Sequence, residues 1–207
     1  MSDKRLYEVN GFTLSQEQYE RYLERINAEN DVSYIVSKIK EQIQGHDVYV
    51  PYIQRHMVWP IIEEMLCDKD EIFTDRHMYD FICEYWDWVE DGNHYAKMAD
   101  VLSELRYGYE ESVIDKQLKK RLVKQIDKDG YITIYRGYNS TSRENGNSYT
   151  LSRDVAIWFA NRFKTNVRYV NTYRIHIDNV LAFITKRKEA EIVALPEDVI
   201  LLETINY

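Results

Sequence analysis

The hydrophobic period of this chain changes once, near Asp129-Gly130, and that switch limits the folds open to it. Before it, apolar residues recur at helical spacing. After it, short alternating runs dominate. Ser15 and Gln18 fit a capping box ahead of a helix with Tyr19, Tyr22, Leu23 and Ile26 on one face. A second helix is expected after Asp31, with Ile35, Ile39 and Ile43 inside and Gly45 at its end. Residues 46–59 carry no clear period. Pro60 opens a third helix through Ile61, Ile62, Met65 and Leu66. Thr74 or Asp75 caps a fourth, with Met78, Phe81, Ile82, Tyr85 and Val89 at helical spacing and Gly92 beyond its end. Two more are expected, near Tyr95–Arg106 and Glu110–Lys128. Strands follow at Ile132–Arg136, Val170–Ile177, Val180–Ile184, Glu189–Leu195 and Val199–Ile205, with one short helix from Asp154 to Phe163. A helical half followed by a mostly antiparallel half reads as α+β.

Composition narrows the function classes. Hydrophobic residues make up 44% of the chain, enough for a packed core. The formal net charge of -8 argues against a free-standing nucleic-acid binder and suits a basic target. The two cysteines, Cys67 and Cys83, are too few for a disulfide scaffold and read as reduced core residues. No stretch approaches the roughly 18 apolar residues that span a bilayer, and the N-terminus has no signal-type apolar run, so a cytoplasmic protein with no membrane partner is expected. A dinucleotide-binding Rossmann fold is disfavoured, because no Gly-x-Gly-x-x-Gly occurs. The His and Cys residues lack paired ligand spacing, so no metal site is expected. Trp86-Asp87-Trp88 reads as core packing, with a partner-binding patch as the other option.

Three segments carry chemistry. In ITIYRGY, strand alternation turns Ile132, Ile134 and Arg136 the same way. A guanidinium on an apolar face needs an anionic partner, either a protein carboxylate or a phosphate held bidentately. Gly137, next to it, lets a ligand approach the backbone. In SYTLSRDVAIWFANRF, Ser152 suits a helix N-cap, which leaves Ser148 and Thr150 without a bland explanation. In EAEIVALP, Glu189 and Glu191 would share one strand face about 7 Å apart, a repulsion that a purely structural strand would avoid unless it were an exposed edge.

In that order the three segments resemble the Arg–Ser–Glu class of mono-ADP-ribosyltransferases of bacterial and phage type. SYTLSRDVAIWFANRF is similar to the family's Ser-Trp-Thr segment and the helix after it. VLAFITKRKEAEIVALP is similar to the strand, loop and Glu-x-Glu strand. The resemblance covers about residues 130–205. Tyr149 departs from the commoner Trp, and both the Arg136–Ser148 link and the Thr185–Lys188 loop are short. The resemblance implies split antiparallel sheets behind a helical lobe. Residues 1–50 would form a helical extension and residues 51–207 the transferase domain, with the lobe at 60–128 and the β-rich core at 130–207.

The resemblance also implies roles. NAD would be the co-substrate. Glu191 would be the catalytic carboxylate at the ribose and would bind its 2′-hydroxyl. Glu189 would orient or deprotonate an acceptor guanidinium, which points to a protein arginine. Arg136 would hold the phosphate or ribose side and the Gly137 backbone the nicotinamide amide. Ser148 would position Glu191, and Thr150 would support the site. Phe159 would stack and Arg162 would bind phosphate. The setting implied is a bacterial or phage effector acting on a host target, in the host cytoplasm if phage-encoded. A nucleic-acid acceptor stays open. So do two rival readings: an NAD glycohydrolase with the same site, and a non-catalytic interaction protein on a degenerate transferase fold.

Overall fold

A computed structural model describes residues 6–9, 11–89, 92–107, 113–142, 144–163, 165–186 and 189–207. The chain divides into two compact units, Met1–Thr74 and Asp75–Tyr207. The division expected at residue 50 therefore falls inside the first unit, and the Pro60 helix belongs to that unit.

In the first unit, β1 (Leu6–Val9) and β2 (Phe12–Ser15) form an antiparallel hairpin that the helical reading did not anticipate. Gly11, with φ 81°, makes its turn. Tyr7 stacks on Tyr19 of α1 (Gln16–Glu29) with ring centroids 4.2 Å apart. The capping box forms as expected: the Ser15 N–H donates to Gln18 Oε1 and the Gln18 N–H to Ser15 Oγ. Asp31 caps α2 (Val32–Ile43) by accepting from the Tyr34 N–H at 3.1 Å. α2 packs on α3 (Val58–Leu66), burying Ile35 and Val36 on one side and Ile61, Ile62 and Met65 on the other. Cys67, expected in the core, is exposed at the end of α3.

The second unit is α+β. Three helices come first: α4 (Asp75–Tyr85), α5 (Gly92–Tyr107) and α6 (Val113–Leu122). Gly92 begins α5 rather than standing beyond the end of α4. The last turn of the preceding apolar run tightens into a 3-10 turn at Trp86–Trp88 instead. The expected start of the sixth helix at Glu110 lies outside the described residues, and its end at Leu122 is short of Lys128.

Six strands follow in one antiparallel sheet: β3 (Tyr131–Asn139), β4 (Ser148–Thr150), β5 (Arg168–His176), β6 (Ala182–Ile184), β7 (Glu191–Val193) and β8 (Val199–Asn206). Their spatial order is β6-β7-β4-β3-β5-β8. The sheet is continuous where two separate sheets were expected. Its middle is thin, however: β3 pairs with β5 along its whole length but with β4 only at Tyr135↔Thr150.

The helix α7 (Arg153–Asn161) follows β4 and lies on β3 and β5, burying Ala156, Ala160 and Val170. The opposite face carries the larger core of Ile132, Ile134, Tyr149, Tyr173, Ile175 and Ile192, closed by Leu122 of α6. Polar contacts tie the first helices to the sheet. Tyr79 donates its hydroxyl to Leu181 O at 3.2 Å, and buried Arg106 donates to Ile177 O at 3.0 Å and to Asp115 at 2.6 Å. Among the described residues no helix is long and apolar enough to cross a membrane.

One contact sets how closely α7 approaches the sheet. A Cβ placed on Gly137 would lie 1.7 Å from the Ala156 carbonyl oxygen and 2.9 Å from the Ala160 nitrogen. Both are backbone atoms, so no side chain can swing aside. Gly137→Ala is expected to cost about 3 kcal/mol, the upper end for overpacking, as read by urea denaturation.

Candidate functional site

β3 and β4 enter the site from opposite sides of the thin seam. Arg136 precedes Gly137 on β3 and points to the face that holds Ile132 and Ile134, as alternation requires. Two of its hydrogen bonds go to backbone carbonyls. Nε donates to Glu144 O at 2.9 Å and Nη1 to Ser148 O at 2.6 Å. Gly146 lies so close that a Cβ there would fall 2.5 Å from Nη2. The short link between β3 and β4 is thus wrapped around the guanidinium. Burial lowers Arg136 from its ordinary value, while Tyr149, Tyr173 and Glu191 oppose the shift. An arginine remains charged throughout this range. Two of its five N–H groups are spent on protein carbonyls, which qualifies the expected bidentate grip on a phosphate. Gly137 is needed for the approach of α7, an explanation that requires no ligand.

β4 supplies Ser148 and Thr150. In the register of β4 with β7, Thr150 stands opposite Glu191 and Ser148 opposite Val193, so Ser148 and Glu191 are diagonal neighbours on one face. Ser148 hydrogen-bonds the Glu191 carboxylate. Thr150 faces backbone: its hydroxyl donates to Glu189 O at 2.6 Å and accepts from the Ser152 N–H at 3.1 Å. Ser152 caps α7 by accepting from the Val155 N–H. Thr150 thereby pins the segment before β7 to the start of α7.

That segment differs from the expected strand. β7 begins at Glu191, and Ala190 takes a positive φ of 46°. A left-handed alanine costs roughly 1–2 kcal/mol, and the surrounding hydrogen bonds must hold it. Ala190 O accepts from the Leu151 N–H at 3.1 Å, and Glu189 O from Thr150. Glu189 and Glu191 therefore do not share a pleat. A backbone kink sets their relation, and both still face one cavity.

That cavity has a volume of about 410 Å³, within the usual range for small-molecule sites. Arg136, Gly137, Ser148 and Thr150 line it, as do Glu189 and Glu191. Phe159 and Arg162 from α7 and its end complete the set of expected residues. Arg162 is exposed, with its guanidinium 5.6 Å from the ring centroids of both Trp158 and Phe163. Residues 187 and 188 of the expected acceptor loop lie outside the described residues. Among those described, no group of three or more His, Cys, Asp or Glu is placed to hold a metal ion.

The sequence reading missed Tyr95 on α5, Asn139 and Ser142 in the wall, and Trp86. Trp86 is 1% exposed, and its indole N–H reaches Ser148 Oγ at 3.1 Å and Glu191 Oε1 at 3.0 Å. An indole nitrogen inside a hydrophobic run gives no periodic signal. Its polarity was the only hint, because a buried indole seeks an acceptor.

No family model, curated protein or solved structure matches the chain.

Glu191 is the perturbed acid of the site. Burial pushes it above its ordinary value of 4.5, hydrogen bonds from Ser148 and Trp86 pull it down, and the charges of Glu189 and Asp87 add to the rise. The folded protein therefore holds this proton more tightly than the unfolded chain does. Stability is present in full below the ordinary glutamate value and is lost as pH rises through the folded one. Glu191→Gln is expected to raise the melting temperature at pH 7–8 and to lose that advantage near pH 4, as followed by thermal melts across pH.

Proposed function

We propose that the chain is a mono-ADP-ribosyltransferase that takes NAD as donor and an arginine side chain of a protein as acceptor. The observation that carries this reading is convergence. Arg136, Ser148, Glu189 and Glu191 come from three separated segments and line one cavity. The antiparallel sheet preceded by helices is compatible with the α+β class that the motifs imply, though it is one sheet and not two. The effector setting and a cytoplasmic site of action belong to the same proposal.

The residues fit a nicotinamide nucleotide in this way. The glycosidic C–N bond of NAD breaks, its electron pair leaves with the nicotinamide nitrogen, and positive charge grows on the ribose. Glu191, fixed by Ser148, presents a carboxylate to that charge. Arg162, exposed at the cavity wall, is placed to meet a phosphate. Arg136 shapes the floor through its own loop. Glu189 takes the proton from the guanidinium nitrogen as that nitrogen bonds to the anomeric carbon, a step that free arginine resists because its pKa is so high.

The test uses labelled NAD with a host-cell lysate or an arginine-rich acceptor protein. Wild type is expected to release nicotinamide and label arginine. Glu191→Gln should lower both by about 100-fold or more. Glu189→Gln should abolish arginine labelling while slow NAD hydrolysis persists. Full arginine transfer by Glu189→Gln would remove the arginine assignment, and a wild type that leaves NAD intact would remove the transferase reading. Hydrolysis without labelling would favour the glycohydrolase.

A further inference from the structure

The geometry points to Trp86 as a positioning residue for Glu191: its indole N–H holds Oε1 of that carboxylate and the Ser148 hydroxyl together, so that the carboxylate is oriented before the substrate arrives. The inference rests on the reading of Glu191 as the carboxylate at the ribose.

Three observations carry it. The first is placement. Trp86 comes from the 3-10 turn after α4, about a hundred residues before Glu191 in sequence, yet its N–H lies 3.0 Å from Oε1 and 3.1 Å from Ser148 Oγ. The second is constraint. The ring is buried to 1% exposure and meets Tyr95 edge-on with centroids 5.2 Å apart, and Tyr95 itself lines the cavity. The indole therefore cannot turn its single N–H elsewhere. The third is chemistry. An indole N–H donates and never accepts, so it orders the polarity of the group around it. Ser148 Oγ accepts from the Trp86 N–H and donates its own O–H to Glu191, so the carboxylate is the terminal acceptor of the group. A phenylalanine would keep an aromatic ring at this position and supply no donor.

A carboxylate without such fixation rotates about its last torsion, which is broad for glutamate. With Oε1 engaged by the indole and the same carboxylate bonded by Ser148, its plane is set before any ligand arrives. Charge-assisted hydrogen bonds are the strong kind, so their loss reads in both rate and acidity. Removing a donor disfavours the ionised form, so the acid limb of activity should move to higher pH.

Two arms test the proposal. In the first, the full-length protein carries ¹⁵N-labelled tryptophan, and the indole resonances of its four tryptophans are followed against pH. One of the four should titrate with the Glu191 carboxyl, and that titration should vanish in Glu191→Gln. If no indole resonance follows Glu191, the proposal is overturned, whether or not any Trp86 variant folds. In the second, Trp86→Phe is compared with wild type for NAD turnover. kcat should fall by about tenfold or more, the value for one hydrogen bond to a charged group. KM for NAD should stay within about twofold, because the lost donor acts on the carboxylate and not on the bound nucleotide. The acid limb of the kcat profile should shift upward. A folded Trp86→Phe with unchanged kcat and pH profile would also overturn it. If NAD is not consumed at all, the proposed reaction falls while the resonance titration still decides what Trp86 does to Glu191.

Discussion

A carboxylate taken out of water must be compensated, and in this chain the compensation at Glu191 organises the second unit. The acid sits at the first residue of a three-residue strand, too short to be held by its ladder alone. Its neighbours come from every direction: Ser148 from β4, Trp86 from the turn after α4, and the kinked segment before it pinned by Thr150 and Leu151. Each partner also has a second bond, so the group closes on itself. Helices that precede the sheet by many residues are thereby tied to a single side chain near the C-terminus. Two further ties, Tyr79 to Leu181 and Arg106 to Ile177, fall on backbone carbonyls just outside strands. The tie through Trp86 ends on the Glu191 carboxylate, and Lys119 with Asp178 and Glu84 with Lys186 add ion pairs at the surface.

Arg136 shows the same economy with the opposite sign. The guanidinium on this apolar face is met by carbonyl dipoles, with the Glu191 charge acting on it as well. The link to β4 curls round it and offers Glu144 O and Ser148 O, and glycine at 146 leaves room for the planar group. The cation and the acid are thus each held by the two ends of β4 and its approach. This is why Ser148 matters twice: its carbonyl receives Arg136 and its hydroxyl serves Glu191.

The elements were legible where a period or a cap announced them. Ser15 with Gln18, Asp31, and the alternation of Ile132, Ile134 and Arg136 all read correctly because their physics is local. The hairpin at Leu6–Ser15 was missed because two four-residue strands give too few alternations to stand out. Gly92 was misplaced because a glycine can begin a helix as well as follow one, and the apolar run before it ended in a tighter turn. The left-handed Ala190 could not be seen, since alanine carries no signal for positive φ. It is enforced by Thr150 and Leu151, partners 39 or more residues earlier in the chain. The same holds for Trp86. Ordered motifs brought forward the residues of the cavity, but a bond between an indole and an acid a hundred positions apart exists only after folding.

The single registered pair between β3 and β4 has a consequence for any molecule that enters the cavity. On one side lie the long ladders of β3, β5 and β8; on the other, the three short strands β4, β7 and β6. Arg136 belongs to the first half and Glu191 to the second, and both look onto the same space. A guest that touches both would act as mortar between two slabs, adding the lateral cohesion that the backbone withholds at this joint.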